Sequence, residues 1–313
     1  MKAIAISGAS GLLATELIHM LLKADEYEVY AITGSIEKLR QRYSDEERVH
    51  PCTLDDFGKS FADRDFYSFV HCAFSRSSDS SAVASSLDFG THFALLARAV
   101  KPVSFINISS QSVYGENENI PWTEDAVPSP NYLYAMGKYA SEKITEGIFA
   151  GTGINATNIR LSSVSENTRF LSIFCKNALA GVPITVQGGK QVISFIDVRD
   201  AASGLAKVIE ASRGIEFKPV YNLAFGEMRT IGELADDVKR LCMQHYEVDV
   251  VVDTVPSDIV QLVGMDNNLF KNEFSWEPRF GYDDMIESLL NLHKDCGGGV
   301  PVSFLLVYRK LFD

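Results

Sequence analysis

The chain has 313 residues, of which 46% are hydrophobic and 22% charged, so it can bury a large core as a globular protein. Its formal net charge of −12 argues against nucleic acid as a partner, because nucleic-acid-binding surfaces are basic. Its five cysteines are scattered without a Cys-x-x-Cys pair, which argues against a disulfide framework or a zinc site and favours reduced thiols.

Membrane and export signals are not expected. The longest apolar runs are much shorter than the ~20 residues that span a bilayer. The first strand begins at Lys2 with no separate apolar segment before it, so we expect no signal peptide. These features predict a cytoplasmic protein.

Strand-like and helix-like segments alternate through the first half of the chain. Strands are predicted at residues 3–7, 28–32, 69–73, 104–108 and 155–160, and helices at 14–23, 87–100 and 130–149. Because such alternation places parallel strands between helices, we expect an α/β fold with a doubly wound parallel sheet.

The second half is less regular. It predicts a helix at 168–180, a strand at 184–186, a hairpin-like turn at 187–190, a strand at 192–198, a helix at 200–210, a strand at 220–224, a Thr-capped helix at 230–244, a strand at 248–252 and a final helix at 282–293. Glycines at 297–299 predict a hinge before an apolar segment at 302–307. Trp276 is expected to pack in a small lobe.

Two lobes follow from this pattern. Residues 1–165, with 192–224 returning to them, are predicted to form the doubly wound core. Residues 166–191 and 225–313 are predicted to form a smaller, mixed C-terminal lobe that binds substrate.

Glycines follow the first predicted strand in the pattern Gly8-x-x-Gly11-x-x-Ala14. They permit a tight turn and a close approach of backbone to a dinucleotide pyrophosphate at the following helix N-terminus. A tight strand-to-helix turn without a ligand is the alternative, and the position after the first strand favours the nucleotide site. The predicted cofactor contacts at this turn are Gly8, Ser10, Gly11, Leu12 and Leu13.

The end of the second strand bears on the choice between NAD and NADP. Thr33 and Ser35 stand where NAD-binding proteins place a carboxylate, and no acidic residue comes before Glu37. Small hydroxyls with Lys38 and Arg40 nearby suit a 2′-phosphate, which slightly favours NADP. The alternative is that the two cations form only a solvated helix face.

Later strands add further predicted cofactor contacts. Thr53 and Leu54 follow the third strand and are placed beside the adenine ring. The segment Cys72-Ala73-Phe74 is placed along the path from ribose to nicotinamide, and Leu161 is a further cofactor contact.

A tyrosine and a lysine four residues apart predict the reacting centre. Tyr134 and Lys138 share a helix face, and a cation beside a phenol lowers its pKa from about 10 and makes it a usable acid/base. Ser110 ends a predicted strand at the same edge of the sheet and can orient a substrate oxygen. A surface Tyr and Lys on a helix is the alternative.

The chain resembles an extended short-chain dehydrogenase/reductase of the NAD-dependent epimerase/dehydratase family. The resemblance rests on Gly8/Gly11/Ala14, on the segments 108–115 and 134–138, and downstream on 189–191, 195–202, 221–224 and 266–278. It implies Tyr134 as acid/base, Lys138 on the nicotinamide ribose, Ser110 as hydroxyl partner, and a Rossmann core that works as a homodimer.

Departures from the family pattern limit the reaction. Dehydratases place Asp and Glu directly after the catalytic hydroxyl residue, where this chain has Gln111 and Ser112, so elimination of water is not expected. Ser163 replaces an asparagine of the family frame. These three residues are predicted substrate contacts.

Other departures concern the substrate. Ile193 and Val255 are apolar where many relatives place arginines that grip a diphosphate. Arg76, Arg169 and Arg229 are candidates to replace them, and Arg76 and Arg169 are the predicted substrate cations. Otherwise the substrate is not a typical nucleotide sugar.

The sequence as a whole predicts an epimerase or ketoreductase that acts on a sugar, most plausibly nucleotide-linked, with NADP or NAD as cofactor. Two alternatives stay open: an NADP-dependent reductase of a non-nucleotide carbonyl compound, and a non-catalytic redox sensor that binds the cofactor as a ligand. We expect no metal ion in the site.

Overall fold

The computed structural model describes residues 1–61, 64–115, 119–258 and 261–295. Its strands are β1 Lys2–Ser7, β2 Tyr27–Ile32, β3 Val49–Cys52, β4 Phe66–His71, β5 Ser104–Ser110, β6 Asn155–Leu161, β7 Ser163–Val164, β8 Ile184–Gln187, β9 Val192–Ile193, β10 Phe195–Ile196, β11 Val220–Leu223, β12 Arg229–Thr230 and β13 Val252–Val255. Its α-helices are α1 Leu12–Leu22, α2 Ile36–Arg42, α3 Leu54–Ser60, α4 Ser80–Val100, α5 Leu133–Phe149, α6 Arg169–Leu179, α7 Val198–Ala211, α8 Ile231–Tyr246, α9 Asn268–Phe274 and α10 Tyr282–Asp295. Short 3₁₀ turns lie at Gln111–Tyr114 and Ser165–Asn167.

A seven-stranded sheet forms the centre of the molecule, in the order β11-β6-β5-β4-β1-β2-β3. All of its pairings are parallel, so the predicted doubly wound sheet is confirmed. The chain moves outward from β1 through β2 to β3 and then crosses back to β4 on the other side of β1. Ligands of such sheets bind at the carboxyl edge, where this reversal leaves a crevice.

Alternate residues of β1 supply the two faces of the core. Ile4 and Ile6 belong to a cluster that α1, α7 and α9 cover, whereas Ala3 and Ala5 belong to one that α3, α4 and α5 cover. The second cluster is rich in aromatic rings, and Phe69 lies 5.2 Å from Phe93, centroid to centroid. Helices on both faces keep the parallel sheet buried, as such sheets require.

A separate apolar cluster joins α6, α8 and α10 to the short parallel pair β8 and β13. The helix at α8 begins with the expected threonine cap, and Thr230 and Glu233 form a complete capping box. The prediction for Trp276 was wrong, because this side chain packs in the main core, where its Nε1 donates to Ser203 Oγ at 2.8 Å. The lobe boundaries stay a prediction.

Several predicted elements differ from the structure. The prediction of a hairpin-like turn at 187–190 was wrong, because the strands on either side do not pair with each other: β8 pairs with β13, and β9 pairs with β12. The strand at 192–198 is broken into β9 and β10, and Asp197 then caps α7 by accepting from the Arg199 amide. The strand predicted at 248–252 was misplaced, because the residues that pair with β8 are Val252–Val255.

Two helices begin at residues other than those predicted. The Asp79 carboxylate accepts from the amides of Ser81 and Ala82, so α4 begins at Ser80 instead of residue 87. The helix predicted from residue 130 begins at Leu133. The predicted C-terminal hinge lies outside the described residues. None of the described helices is long and apolar enough to cross a membrane.

Candidate active site

A cavity of about 1020 Å³ opens at the carboxyl edge of the sheet. The residues that follow β1, β4, β5 and β6 line it, together with the first half of α5 and residues 167–168, 193 and 261–263. The cavity therefore lies at the reversal of strand order, where open α/β sheets bind their ligands.

The turn between β1 and α1 lines one side of the cavity. Gly8 has a φ of +68°, and a Cβ added there would lie 2.8 Å from the Ala73 backbone, so glycine is required. Gly11 caps α1 without a side-chain hydrogen bond. The first amide groups of α1 therefore face the cavity from a helix N-terminus, a fit for a dinucleotide pyrophosphate.

Further predicted cofactor contacts lie beside this turn. The Ala73 backbone packs against Gly8. The cavity is lined by five of the other predicted contacts: Leu12, Leu13, Cys72, Phe74 and Leu161. Burial raises the pKa of the Cys72 thiol to about 12, and the thiol is uncharged at neutral pH.

The predicted adenosine end lies outside the cavity lining. Thr33 donates to Ser10 Oγ at 3.4 Å and accepts from the Ser35 amide at 3.0 Å, so the three hydroxyl residues are brought together. Lys38 is exposed on α2, and Arg40 pairs with Glu37 at 3.0 Å.

The third strand ends nearby without reaching the cavity. Thr53 caps α3 by accepting from the Asp56 amide, and Leu54 packs against the aromatic cluster. Neither residue lines the cavity.

The three predicted catalytic residues meet in the cavity. Ser110 ends β5, and Tyr134 and Lys138 lie one turn apart on α5. The Ser110 hydroxyl accepts from the Ser112 amide at 3.2 Å and is hydrogen-bonded to the Tyr134 phenol. Because Ser110 already accepts from an amide, its own proton is available to the phenol oxygen or to a substrate oxygen.

Lys138 is buried behind the tyrosine. Its Nζ donates to the Ile108 carbonyl oxygen at 2.7 Å and lies 4.4 Å from the centroid of Phe74. The same ring makes an edge contact with Tyr134 at 5.8 Å. Burial lowers the pKa of Lys138 to about 8, so its ammonium loses its proton just above neutral pH.

The protonation of Tyr134 differs from the expectation. Burial raises the pKa of the phenol, although the hydrogen bond from Ser110 and the charge of Arg76 lower it. Lys138 does not lower the phenol pKa in this arrangement, contrary to the expectation, because its ammonium donates to the Ile108 carbonyl oxygen. Tyr134 is therefore a phenol at neutral pH, ready to donate a proton.

Two of the three predicted polar substrate contacts, Gln111 and Ser163, are hydrogen-bonded to each other. Gln111 Nε2 donates to Ser163 Oγ at 2.8 Å, and Ser162 donates to Gln111 Oε1 at 3.2 Å. Ser112 Oγ is buried without a hydrogen-bond partner. All four residues line the cavity, and Gln111 and Ser163, two departures from the family pattern, contact each other.

Of the two arginines predicted to bind the substrate, only one lines the cavity. Arg76 is exposed and lines the cavity, whereas Arg169 is exposed on α6 and is not among the lining residues. Arg229 lies over the Tyr282 ring, with its guanidinium carbon 5.2 Å from the centroid. Ile193 lines the cavity, and Val255 lies exposed on β13.

Some lining residues were missed in the sequence. They lie in irregular segments without periodicity or motif: Asn131, Tyr132, Asn167, Thr168, Gln261, Leu262 and Val263. Glu142 was also missed, although its spacing from Tyr134 and Lys138 places it on the same stripe of α5.

Comparisons with known proteins agree with this geometry. The sequence profile of the NAD dependent epimerase/dehydratase family matches residues 4–224. A dTDP-glucose 4,6-dehydratase of Actinoplanes is 25% identical over 188 residues, which are 58% of this chain and 57% of that protein. UDP-glucuronate 4-epimerase 1 of Arabidopsis thaliana is 28% identical over 193 residues, which are 54% of this chain and 44% of that protein. The chain thus spans about half the length of these curated relatives.

Solved structures show the same fold over nearly the whole chain. The UDP-glucuronic acid 4-epimerase of Bacillus cereus, in complex with UDP-glucuronic acid and NAD, has a TM-score of 0.79 at 20% identity and covers 94% of this chain and 99% of its own. The UDP-N-acetylglucosamine 4-epimerase of Bacillus cereus has a TM-score of 0.77 at 17% identity, with 94% and 97% covered.

Proposed function

The chain belongs to the NAD dependent epimerase/dehydratase family, and we propose that it is an NAD(P)-dependent epimerase or ketoreductase acting on a sugar. The observation that supports this most is the meeting of Ser110, Tyr134 and Lys138 in one cavity with the open N-terminus of α1. A pure redox sensor has no need of all three residues, which argues against the non-catalytic alternative.

The residues present fit a nicotinamide dinucleotide. The α1 amides would hold the pyrophosphate, and Lys138 would hold the nicotinamide ribose at the Phe74 side of the cavity. When bound, the cofactor would supply the hydride acceptor and donor at nicotinamide C4.

The proton transfer falls to the chain's own side chains. Tyr134, protonated at neutral pH, donates its proton to the substrate carbonyl oxygen during reduction and takes the hydroxyl proton during oxidation. Ser110 donates to the same oxygen and orients it toward the phenol. The Lys138 ammonium stabilises the phenolate that forms when Tyr134 gives up its proton.

Elimination of water is not part of this proposal. The positions after Ser110 carry Gln111 and Ser112, and neither side chain can act as the acid or base for dehydration. Gln111, Ser112 and Ser163 instead offer uncharged hydrogen-bonding groups that suit sugar hydroxyls.

The cofactor is NADP or NAD, and we favour NADP slightly. No carboxylate that would repel a 2′-phosphate stands at Thr33, Ser35 or Lys38. Glu37 forms an ion pair with Arg40, so Lys38, which forms no ion pair with a described residue, is the candidate cation. Fluorescence titration should show NADPH bound several-fold more tightly than NADH, and Lys38→Ala should remove the difference. Equal or reversed affinities in the parent would mean that Lys38 and Arg40 form only a solvated helix face.

The substrate is a nucleotide sugar or, as second candidate, an unactivated carbonyl compound. Among the described residues that line the cavity, the cations are Arg76 and Lys138, while Ile193, Leu262 and Val263 supply apolar surface. A diphosphate needs charged partners when it leaves water. Of the two cations, Lys138 is buried and Arg76 is exposed, so Arg76 alone is left to pair with it. This observation favours the second candidate.

A thermal-shift screen of the cofactor complex distinguishes the candidates. Nucleotide sugars, free sugars and small aldehydes are compared for the parent and Arg76→Ala, with Arg169→Ala as a control on the exposed face of α6. Stabilisation by a nucleotide sugar that is lost in Arg76→Ala supports the first candidate. A response to unactivated carbonyl compounds alone supports the second, and a response to neither class overturns the proposal.

The proposal also covers the oligomeric state of the protein and its cellular compartment. We propose a homodimer in the cytoplasm, and the apolar side chains of Leu95 on α4 and Met136 on α5, which are 45% and 48% exposed, are consistent with a subunit contact.

A further inference from the structure

Three residues of α5 form a stripe that contacts the last three residues of β5. Tyr134, Lys138 and Glu142 are spaced by four, so they share one helix face. Tyr134 is hydrogen-bonded to Ser110, and Lys138 Nζ donates to the Ile108 carbonyl oxygen. The third contact is a hydrogen bond from the Ser109 hydroxyl to Glu142 Oε1.

Glu142 is buried and held by a bidentate ion pair. It is 1% exposed, and Arg160 on β6 donates to its two carboxylate oxygens at 3.0 Å from Nε and 2.8 Å from the terminal nitrogen. The Arg160 guanidinium carbon lies 4.7 Å from the centroid of the Tyr114 ring. The pair therefore fixes the rotation of α5 relative to both β5 and β6.

The charges around Lys138 come from several elements. His71 and Cys72 at the end of β4 are buried, and burial lowers the pKa of His71 to about 3 and raises that of Cys72 to about 12, so both are neutral at pH 7. Tyr134 is a neutral phenol. Against the lowering caused by burial, Cys72 and then Glu142 raise the pKa of Lys138, and because the Cys72 thiol is neutral at pH 7, Glu142 supplies the negative charge at that pH.

We propose that Glu142, held by Arg160, is a positioning residue that keeps the Lys138 ammonium charged and fixed against the end of β5. The role in turnover rests on the proposed function, because Lys138 acts on the phenol and the nicotinamide ribose only if the chain catalyses hydride transfer. The effect on Lys138 itself needs no substrate.

The test measures the titration of Lys138 in the ligand-free protein by NMR of lysine labelled at Cε, with Lys138→Met to assign the signal. Breaking one side of a buried ion pair can unfold a protein, so the main variant is Glu142→Leu combined with Arg160→Met, which removes both charges. We expect the pKa of Lys138 to fall by about one unit or more from its parent value.

Two variants serve as controls. Arg160→Lys keeps a cation beside Glu142, so the pKa of Lys138 should stay near the parent value. Glu28→Gln with Arg64→Met removes an ion pair of a buried carboxylate on β2, away from the cavity, and should leave Lys138 unchanged. If the main variant does not fold, Glu142→Gln replaces it.

Turnover gives the second readout. As the pH rises from about 6 to 8, kcat/KM for the reduced cofactor should fall about fivefold more in the main variant than in the parent, because Lys138 of the free variant loses its charge at lower pH. A folded variant whose Lys138 titrates within about 0.3 units of the parent overturns the inference. A shifted titration without turnover on any substrate, in parent or variant, would overturn the proposed function and leave the electrostatic role of Glu142 standing.

Discussion

The phenol of Tyr134 is held by three groups of different kinds. Ser110 is hydrogen-bonded to it, Phe74 packs its ring edge-on, and Arg76 supplies a nearby positive charge. Burial nevertheless raises the pKa of the phenol, so Tyr134 carries at neutral pH the proton that a carbonyl reduction needs. Oxidation of an alcohol requires the opposite state, and a bound cofactor with its positive nicotinamide ring would favour it.

Replacing Tyr134 with phenylalanine tests the proton transfer directly. The ring of Tyr134→Phe still packs against Phe74, so cofactor affinity should change little, while kcat should fall by ~10²–10⁴, the usual contribution of a general acid or base. Steady-state kinetics and cofactor titration measure the two quantities. Tyr132→Phe is the matched control, because Tyr132 lies 6.2 Å from Tyr134, centroid to centroid, and lines the same cavity. A kcat of Tyr134→Phe within about twofold of the parent would contradict the assignment.

The lowered pKa of Lys138 predicts an alkaline limit on cofactor capture. The ammonium is present below its pKa of about 8 and is lost as the pH rises through that value. Because kcat/KM for the reduced cofactor reports the free enzyme, it should be constant below about pH 7 and fall about tenfold per unit well above pH 8. Lys138→Arg keeps its charge over this range, so its profile should be flat even if its rate is lower. A flat parent profile up to about pH 9.5 would rule out Lys138 as the titrating group.

At the scale of elements, buried parallel strands were the most predictable feature. Residues 104–108 and 155–160 lie between segments with helical periodicity, and the structure extends each of them by one or two residues, as β5 and β6. Short strands of the second half of the chain were not predictable, because β8, β9 and β13 have two to four residues and are defined by partners distant in sequence. The glycines at 188 and 189 suggested a hairpin, yet they connect strands that pair elsewhere.

The β1–α1 turn allows a matched pair of substitutions. Gly8→Ala places a Cβ 2.8 Å from the Ala73 backbone at a positive φ, whereas Gly11→Ala meets only the Gly8 carbonyl oxygen at 3.2 Å with φ of −75°. A positive φ costs an L-residue roughly 1–2 kcal/mol, so Gly8→Ala should lower Tm by at least about 2 °C and weaken cofactor binding. Gly11→Ala should leave Tm nearly unchanged, and calorimetry compares the two. Equal Tm values for both variants would mean that the turn relaxes at no cost.

At the scale of the whole molecule, the lining residues predicted from the sequence lie on regular elements or next to their ends, and those that were missed lie in irregular segments. Ser110, Tyr134 and Lys138 lie on long regular elements whose spacing fixes their direction. Asn131, Thr168 and residues 261–263 reach the cavity from irregular segments far apart in sequence. Only the tertiary packing of the chain brings them together, and no local sequence pattern indicates that packing.

Two buried histidines predict how the whole fold responds to acid. Burial lowers the pKa of His71 to about 3, so His71 remains neutral in the folded protein well below the ordinary value of about 6.5, and burial also lowers the pKa of His293. The unfolded chain takes up protons on both as the pH falls below about 6.5, so the stability of the fold is lost in that direction. Each histidine that protonates only on unfolding lowers the free energy of unfolding by about 1.4 kcal/mol per pH unit in this window.

Thermal unfolding between about pH 7.5 and 5 measures this response. His293→Gln keeps a hydrogen-bonding partner for Ser172, which contacts His293 Nε2 at 2.8 Å, and should lose less Tm per pH unit than the parent. His92→Gln is the control, because the His92 side chain is 64% exposed and its variant should follow the parent at every pH. Parallel curves for the parent and His293→Gln would show that His293 takes up its proton in the folded state as readily as in the unfolded chain. The acid sensitivity would then have to come from other groups, His71 among them.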